Sequence, residues 1–471
     1  MQDISLFSDT EYDKPGEECG VFGVFDRGDN LDCSRLSYYA LYALQHRGQE
    51  SCGIVVNNNR EIMYKKGMGL VNEVFTDKIL DELKGQMAVG HVRYSTTGES
   101  RWENAQPLVS RYVKGTMAIA HNGNLVNADK LHEEYERTGA IFQTTIDSEV
   151  VAYAVARARL ATPSIEGAVN YAMHQLKGSY SMIIMSPQKL IAVRDPHGIR
   201  PLCMGKIGNS TVFASETCAL DAIGAEFVRN VDPGEIVIAD ENGTRSIRDH
   251  CGQPSHMCIF EYIYFARPDS IIEGQSVYAA RKEAGKILAQ EHPVEADLVI
   301  GVPDSGLAAA VGYSLESQIP YETGLIKNRY IGRTFIQPLQ TQRENSVRIK
   351  LNALKDTVEG KRIIMIDDSI VRGTTCGRIV QLLKSAGAKE VHVRISSPPF
   401  MWPCFFGTDI PDRDQLVAFS HSVEETRQLI GADSLGYLSL ENVQKIAPNA
   451  QCGFCDACFS GNYPIDVPPI K

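Results

Sequence analysis

The stretch IIMIDDSIVRGTT, Ile363 to Thr375, leaves a chain few ways to fold. Its unbroken apolar run reads as a strand buried on both faces. Asp367 and Asp368 end the run, and Ser369, Arg372, Gly373, Thr374 and Thr375 follow as the chain turns. The next segment, TCGRIVQLLKSAG, sets Ile379, Val380, Leu382 and Leu383 on one face, and Gly387 stands where a helix would stop. Strand, polar loop and helix in succession are the unit of a parallel, doubly wound sheet, in which ligands bind at the carboxyl ends of the strands. Backbone N–H groups and hydroxyls at a helix N-terminus hold phosphate. Adjacent carboxylates can meet ribose hydroxyls or, through waters, a magnesium ion that carries phosphate. ADLVIGVPDSG and EVHVRISSPP read as companion strands.

A chain of 471 residues has room for about two to four domains. From CGVFGVF to about residue 250 the texture differs from that of the second half. Short strands such as SCGIVVNN, MAVGHVRYS, TMAIAHNGNL, SYSMIIMS and GEIVIAD alternate with Gly-rich turns. Amphipathic stretches interrupt them around residues 34–45 and 147–160, which predicts a layered α+β domain. The net charge of −11 argues against a general nucleic-acid surface. No apolar run reaches membrane-spanning length. The opening MQDISLFSDTEYDKPGEE is acidic and lacks the basic start of a targeting signal, so the expected compartment is the cytosol. Residues 1–18 read as a disordered leader.

A cytosol keeps thiols reduced, which disfavours a disulfide framework for the twelve cysteines. Cys33, Cys52, Cys203, Cys218, Cys251 and Cys376 are scattered, whereas Cys452, Cys455 and Cys458 stand at two-residue gaps. That spacing suits an iron–sulfur cubane with a fourth ligand from elsewhere. A four-cysteine zinc site is the rival reading.

The loop after Ile366 resembles that of the type I phosphoribosyltransferases, which use phosphoribosyl pyrophosphate (PRPP). No Walker pattern is present. By the same resemblance GVPDSG is the pyrophosphate loop, with Ser305, Asp367 and Asp368 beside one Mg2+ ion. Ser369, Arg372, Gly373, Thr374 and Thr375 then hold PRPP. The basic segment KNRYIGRTFIQP, residues 327–338, contributes Lys327 and Arg333 as a mobile lid. In the first half CGVFGVF, LQHRGQES, GHVRYSTTG, AHNGNLVN and TTIDSE resemble, in order, the glutaminase of the N-terminal-nucleophile amidotransferases. Together the halves resemble one family, the glutamine PRPP amidotransferases, in its cluster-bearing branch with a propeptide.

The resemblance implies an αββα N-terminal-nucleophile glutaminase sandwich followed by an α/β type I phosphoribosyltransferase domain with a parallel sheet. The expected division is a propeptide over 1–18, a glutaminase over 19–250, a phosphoribosyltransferase over 260–440 and a cluster-bearing tail over 441–471. Cys19 is the implied nucleophile, freed as residue one. Asn122 and Gly123 form the implied oxyanion hole, while Arg93 and Asp147 bind glutamine. The implied ligands of one [4Fe–4S] cluster are Cys258, Cys404, Cys455 and Cys458, with Cys452 left over. The implied reaction makes phosphoribosylamine, glutamate and pyrophosphate from glutamine, PRPP and water, the first step of purine synthesis. Purine nucleotides are the implied inhibitors and a homotetramer the implied assembly, with no nucleic-acid or membrane partner. The rivals are another amidotransferase with the same glutaminase, which IIMIDDSIVRGTT disfavours, and a PRPP-sensing regulator, which an intact Cys19, Asn122 and Gly123 disfavour.

Overall fold

The computed structural model describes residues 18–94, 99–328, 351–408, 410 and 412–469. The expected lid residues Arg329, Arg333 and Phe335, and leader residues 1–17, lie outside them.

The first half is built on two antiparallel sheets. One runs, edge to edge, Glu226–Asn230, Cys203–Ile207, Ser210–Ala214, Gly20–Phe25, Met87–Arg93, Ser51–Asn58 and Glu61–Met68. The other runs Gly243–Ile247, Ile236–Asp240, Leu190–Arg194, Gly178–Met185, Gly115–Leu125 and Leu108–Tyr112. Period-two alternation lets each strand feed two cores. Val21, Val55 and Val89 of the first sheet pack on Ala120, Ile183 and Ala192 of the second. Phe22, Ile54 and Val92 point the other way, onto the helix Cys33–Ala43. The outer face of the second sheet is covered by the helices Asp147–Ala161 and Ile165–Met173. The result is the expected four-layer αββα sandwich.

The second half holds a wholly parallel sheet, Leu298–Gly301, Arg362–Asp367, Glu390–Ile395 and Ser434–Tyr437. Alternate residues of the central strand serve opposite faces. Ile364 and Ile366 meet the helices Val277–Glu291 and Leu307–Ser317, and Ile363 and Met365 meet the helix Thr374–Ser385. That helix starts after Gly373, whose φ of +88° suits glycine, and Gly387 follows its end at φ +99°. A short parallel bridge sets Cys258 opposite Cys455, so the C-terminal segment returns to the chain that links the two halves.

Candidate active sites and a buried junction

Cys19 lies just before the central strand Gly20–Phe25, whose partner strand ends at Arg93. Its thiol faces the carbonyl oxygen of Tyr94 at 3.6 Å. Burial pushes the thiol pKa up to about 11, against smaller opposing effects of Tyr94 and Arg93. A thiol raised in this way carries its proton at neutral pH.

Asn122 and Gly123 sit near the end of the strand Gly115–Leu125. The Asn122 side chain is 2% exposed, and its Nδ2 has no hydrogen-bond partner among the described residues. A buried donor left open in this way is unusual and fits an acceptor that arrives with a ligand. Gly123 has φ +139°, and a Cβ there would stand 2.2 Å from the Ser179 carbonyl oxygen. Arg93 is buried, with Nη1 3.8 Å from Glu50 Oε2. Asp147 opens the helix Asp147–Ala161 and accepts from the Leu125 N–H at 3.0 Å. Burial alone would raise its pKa, but His121, 3.3 Å away, and the backbone amides hold it below the usual carboxylate value. It stays ionised, as an ammonium site requires.

The second candidate site forms where Gly301 and Ile366 pair in parallel, so the turns after both strands leave the sheet side by side. Ser305 Oγ donates to Asp368 Oδ1 at 2.5 Å across that gap. Ser369 Oγ donates to Asp368 Oδ2, and the Asp368 N–H to Asp367 Oδ1. Both acids are buried beside the N-terminus of a twelve-residue helix that begins at Thr374 and Thr375. This is an oxygen-rich cradle suited to a hard divalent ion and a phosphate. Lys327 stands at its rim, paired with Asp304 at 2.6 Å, and Arg372 bonds Gln415.

Cys258, Cys404, Cys455 and Cys458 line one small cavity, walled otherwise by Ile199, Phe260, Phe406 and Ile410 among others. Burial and mutual charge raise the Cys258 and Cys458 thiols well above the ordinary value. Four soft donors that cannot ionise together without a cation fit a thiolate-bound metal group. Cys452 is not in that wall; the charges that act on its thiol are Glu273 and Arg194.

A buried ionic cluster lies beside Cys19 where the two halves meet, and no local run of sequence points to it. Arg47 Nε donates to the Cys19 carbonyl oxygen at 2.9 Å, and its Nη atoms grip Glu261 at 2.9 and 2.7 Å and Glu216 at 2.6 Å. Arg200 pairs with Glu18, lies 3.6 Å from Glu261 and donates to the Phe406 carbonyl oxygen. The segment 404–408 is pinned to the sandwich: Asn124 Nδ2 donates to Phe405 O at 3.0 Å, and Ser179 Oγ to Phe406 O at 2.7 Å. Arg47 sits inside LQHRGQES, but nothing local in that run tells that its charge is buried.

Comparison with known proteins follows the same division. Residues 91–222 match a glutamine amidotransferase domain, and residues 270–396 match a phosphoribosyl transferase domain. The chain is 51% identical over 452 residues to the amidophosphoribosyltransferase of Archaeoglobus fulgidus, covering 96% of this chain and 98% of that one. It is 50% identical over 456 residues to the Bacillus subtilis amidophosphoribosyltransferase, covering 96% and 95%. Among solved structures, the Bacillus subtilis glutamine phosphoribosylpyrophosphate amidotransferase complexed with ADP and GMP aligns with a TM-score of 0.89 at 49% identity, over 95% of this chain and 98% of that one.

Proposed function

The chain belongs to the amidophosphoribosyltransferase family, an enzyme family joining a glutamine amidotransferase to a phosphoribosyl transferase, and we propose on that footing how its own residues divide the work. Glutamine is hydrolysed at Cys19, and the ammonia displaces pyrophosphate from PRPP to give 5-phosphoribosylamine, opening purine synthesis. The observations that carry the reading are the Cys19 thiol within electrostatic reach of Arg93 and Asp147, and the buried, open amide donor of Asn122.

The leader, residues 1–18, is removed, so that Cys19 gains a free α-amine. Such an amine has a reference pKa of about 7.7–8.0 and is a good base at neutral pH. It takes the thiol proton as sulfur attacks the side-chain amide carbon, and passes it to the departing ammonia. Asn122 Nδ2 and the Gly123 N–H receive the oxyanion. Arg93 binds the substrate carboxylate through its planar fork, and Asp147 binds the ammonium. Water then hydrolyses the thioester to glutamate.

In the second half Ser305, Asp367 and Asp368 hold one Mg2+, which neutralises pyrophosphate charge when bound. Ser369, Arg372, Gly373, Thr374 and Thr375 seat the 5-phosphate, and Lys327 and Arg333 supply positive charge for the anion. Cys258, Cys404, Cys455 and Cys458 hold one [4Fe–4S] cluster, a structural staple rather than a participant in either reaction. The crowding of these thiols supports that reading and leaves Cys452 outside it. The reading also assigns the glutaminase to 19–250, the phosphoribosyltransferase to 260–440, the tail to 441–471, a homotetramer, inhibition by purine nucleotides and a cytoplasmic site. Among the described residues no helix is long and apolar enough to cross a membrane.

The test is Cys19→Ala. We expect glutamine-dependent phosphoribosylamine synthesis to vanish while synthesis from free ammonia persists. Loss of both in a folded variant would refute the division of labour.

A further inference from the structure

We propose that Glu18 is the specificity-determining residue for removal of the leader: its carboxylate, seated in a closed pocket of Arg200, Arg47 and Thr408, fixes the Glu18–Cys19 peptide bond in register for cleavage. The inference rests on the leader reading above and adds to it a recognition site and its ligand, a single glutamate side chain.

Glutamate is almost never fully buried unless paired, and the last residue of a disposable leader has no packing role in the finished enzyme. Yet Glu18 is 1% exposed. Arg200 Nη1 contacts Oε1, the Thr408 hydroxyl donates to the same oxygen at 2.9 Å, and Arg47 Nη2 lies 3.5 Å from Oε2. Both guanidiniums are buried and held in place from elsewhere, Arg200 by Phe406 O and Arg47 by Glu216 and Glu261. Arg47 also donates to the carbonyl oxygen of Cys19. One rigid side chain thus touches the residue on each side of the peptide bond. The pocket draws on residues 47, 200, 261 and 408, far apart in sequence, so it forms only once the chain has folded.

The charges give the pocket a direction. Two guanidiniums, Arg47 and Arg200, face three carboxylates, Glu18, Glu216 and Glu261. Burial raises the pKa of Glu18 to about 7, Arg200 opposes the rise, and Glu261 adds to it. Glu18 thus brings a third carboxylate to two guanidiniums, one of whose other partners, Glu216, also pairs with His46 at 2.8 Å. Hydrolysis adds water across the Glu18–Cys19 bond. The C–N bond breaks, oxygen goes to the Glu18 carbonyl carbon, and protons go to the Cys19 nitrogen. A new carboxylate then appears on Glu18 and a new ammonium on Cys19, and the two residues are no longer tied by a covalent bond. The pocket positions the bond before cleavage.

The experiment follows leader removal by intact mass in the full-length chain, comparing wild type with Glu18→Gln, Glu18→Ala and, as a neighbour control, Glu17→Ala. Synthesis from free ammonia reports folding independently of the leader. We expect Glu18→Ala to lose the leader at least about tenfold more slowly, a cost in keeping with lost positioning. Glu18→Gln keeps the shape but loses the charge that Arg200 and Arg47 face, and should also be slowed, by about tenfold or more, the worth of a hydrogen bond to a charged group. Glu17→Ala should match wild type, and ammonia-dependent synthesis should be equal in all four. Glu18→Ala cleaving at the wild-type rate would overturn the inference and leave the leader reading standing. Slow cleavage with a parallel loss of ammonia-dependent synthesis would overturn it as a folding defect. A wild-type chain that stays uncleaved and fully active would overturn the leader reading, and this inference with it.

Discussion

Arg47 and Glu261, 214 residues apart in sequence, meet in a buried two-pronged pair at the junction of the sandwich and the parallel-sheet half. Removing one partner leaves the other as an uncompensated buried charge, which costs about 3–5 kcal/mol. Arg47→Met should therefore lower unfolding free energy by about that amount in denaturant titration. A loss under about 1 kcal/mol would mean that water reaches the site.

Gly123→Ala should abolish glutamine hydrolysis and spare synthesis from free ammonia. The added Cβ would stand 2.2 Å from Ser179 O, on a backbone at φ +139° that side chains rarely adopt. The strand must shift to admit it, moving the donors at residues 122 and 123. Removal of one such donor costs about 10²–10³ in rate. Steady-state assays with each nitrogen donor check the split.

Cys458→Ser and Cys452→Ser should part company in metal content. Cys458 lines the four-thiol cavity, and Cys452 does not. Anaerobically purified Cys452→Ser should keep about four iron atoms per chain, and Cys458→Ser should fall to under about a tenth of that. Zinc in place of iron in the wild type would return the site to the rival reading.

His91 should make the protein acid-sensitive well above carboxylate range. Its Nε2 donates to His121 O at 2.9 Å, and burial holds its pKa down to about 3 from 6.5. The unfolded chain takes up the proton first. Stability is therefore full above about 6.5 and falls as pH drops toward 3, by about 1.4 kcal/mol per unit. Unfolding measured from pH 7 to pH 4 should show this slope, and His91→Gln should flatten it.

The legible parts of the chain were those with a local cause. Ile363–Ile366, Asp367 and Asp368 carry their strand and their loop in one run, and helix Thr374–Ser385 follows from its apolar face and Gly387. The edge strands Glu61–Met68, Glu226–Asn230 and Gly243–Ile247 escaped notice because they are largely exposed and lack the apolar alternation of their buried neighbours. Glu18, Arg47, Arg200, Glu216 and Glu261 escaped for another reason. A charge near apolar residues reads as surface, and its burial is set by partners hundreds of residues away.

The pinning of residues 404–408 to Asn124 and Ser179 bears on how such an enzyme can be rebuilt. Its two halves look like interchangeable modules when seen as a list of motifs. Their seam is not generic. A glutaminase transplanted without residues 261 and 404–408 would leave Arg47 with Glu216 but without its two-pronged partner, and would strip Arg200 of the Phe406 carbonyl oxygen that fixes it. A chimera that exchanges the second half must carry these few residues across the joint, and a library of hybrids should sort on their retention before any property of the nucleophile.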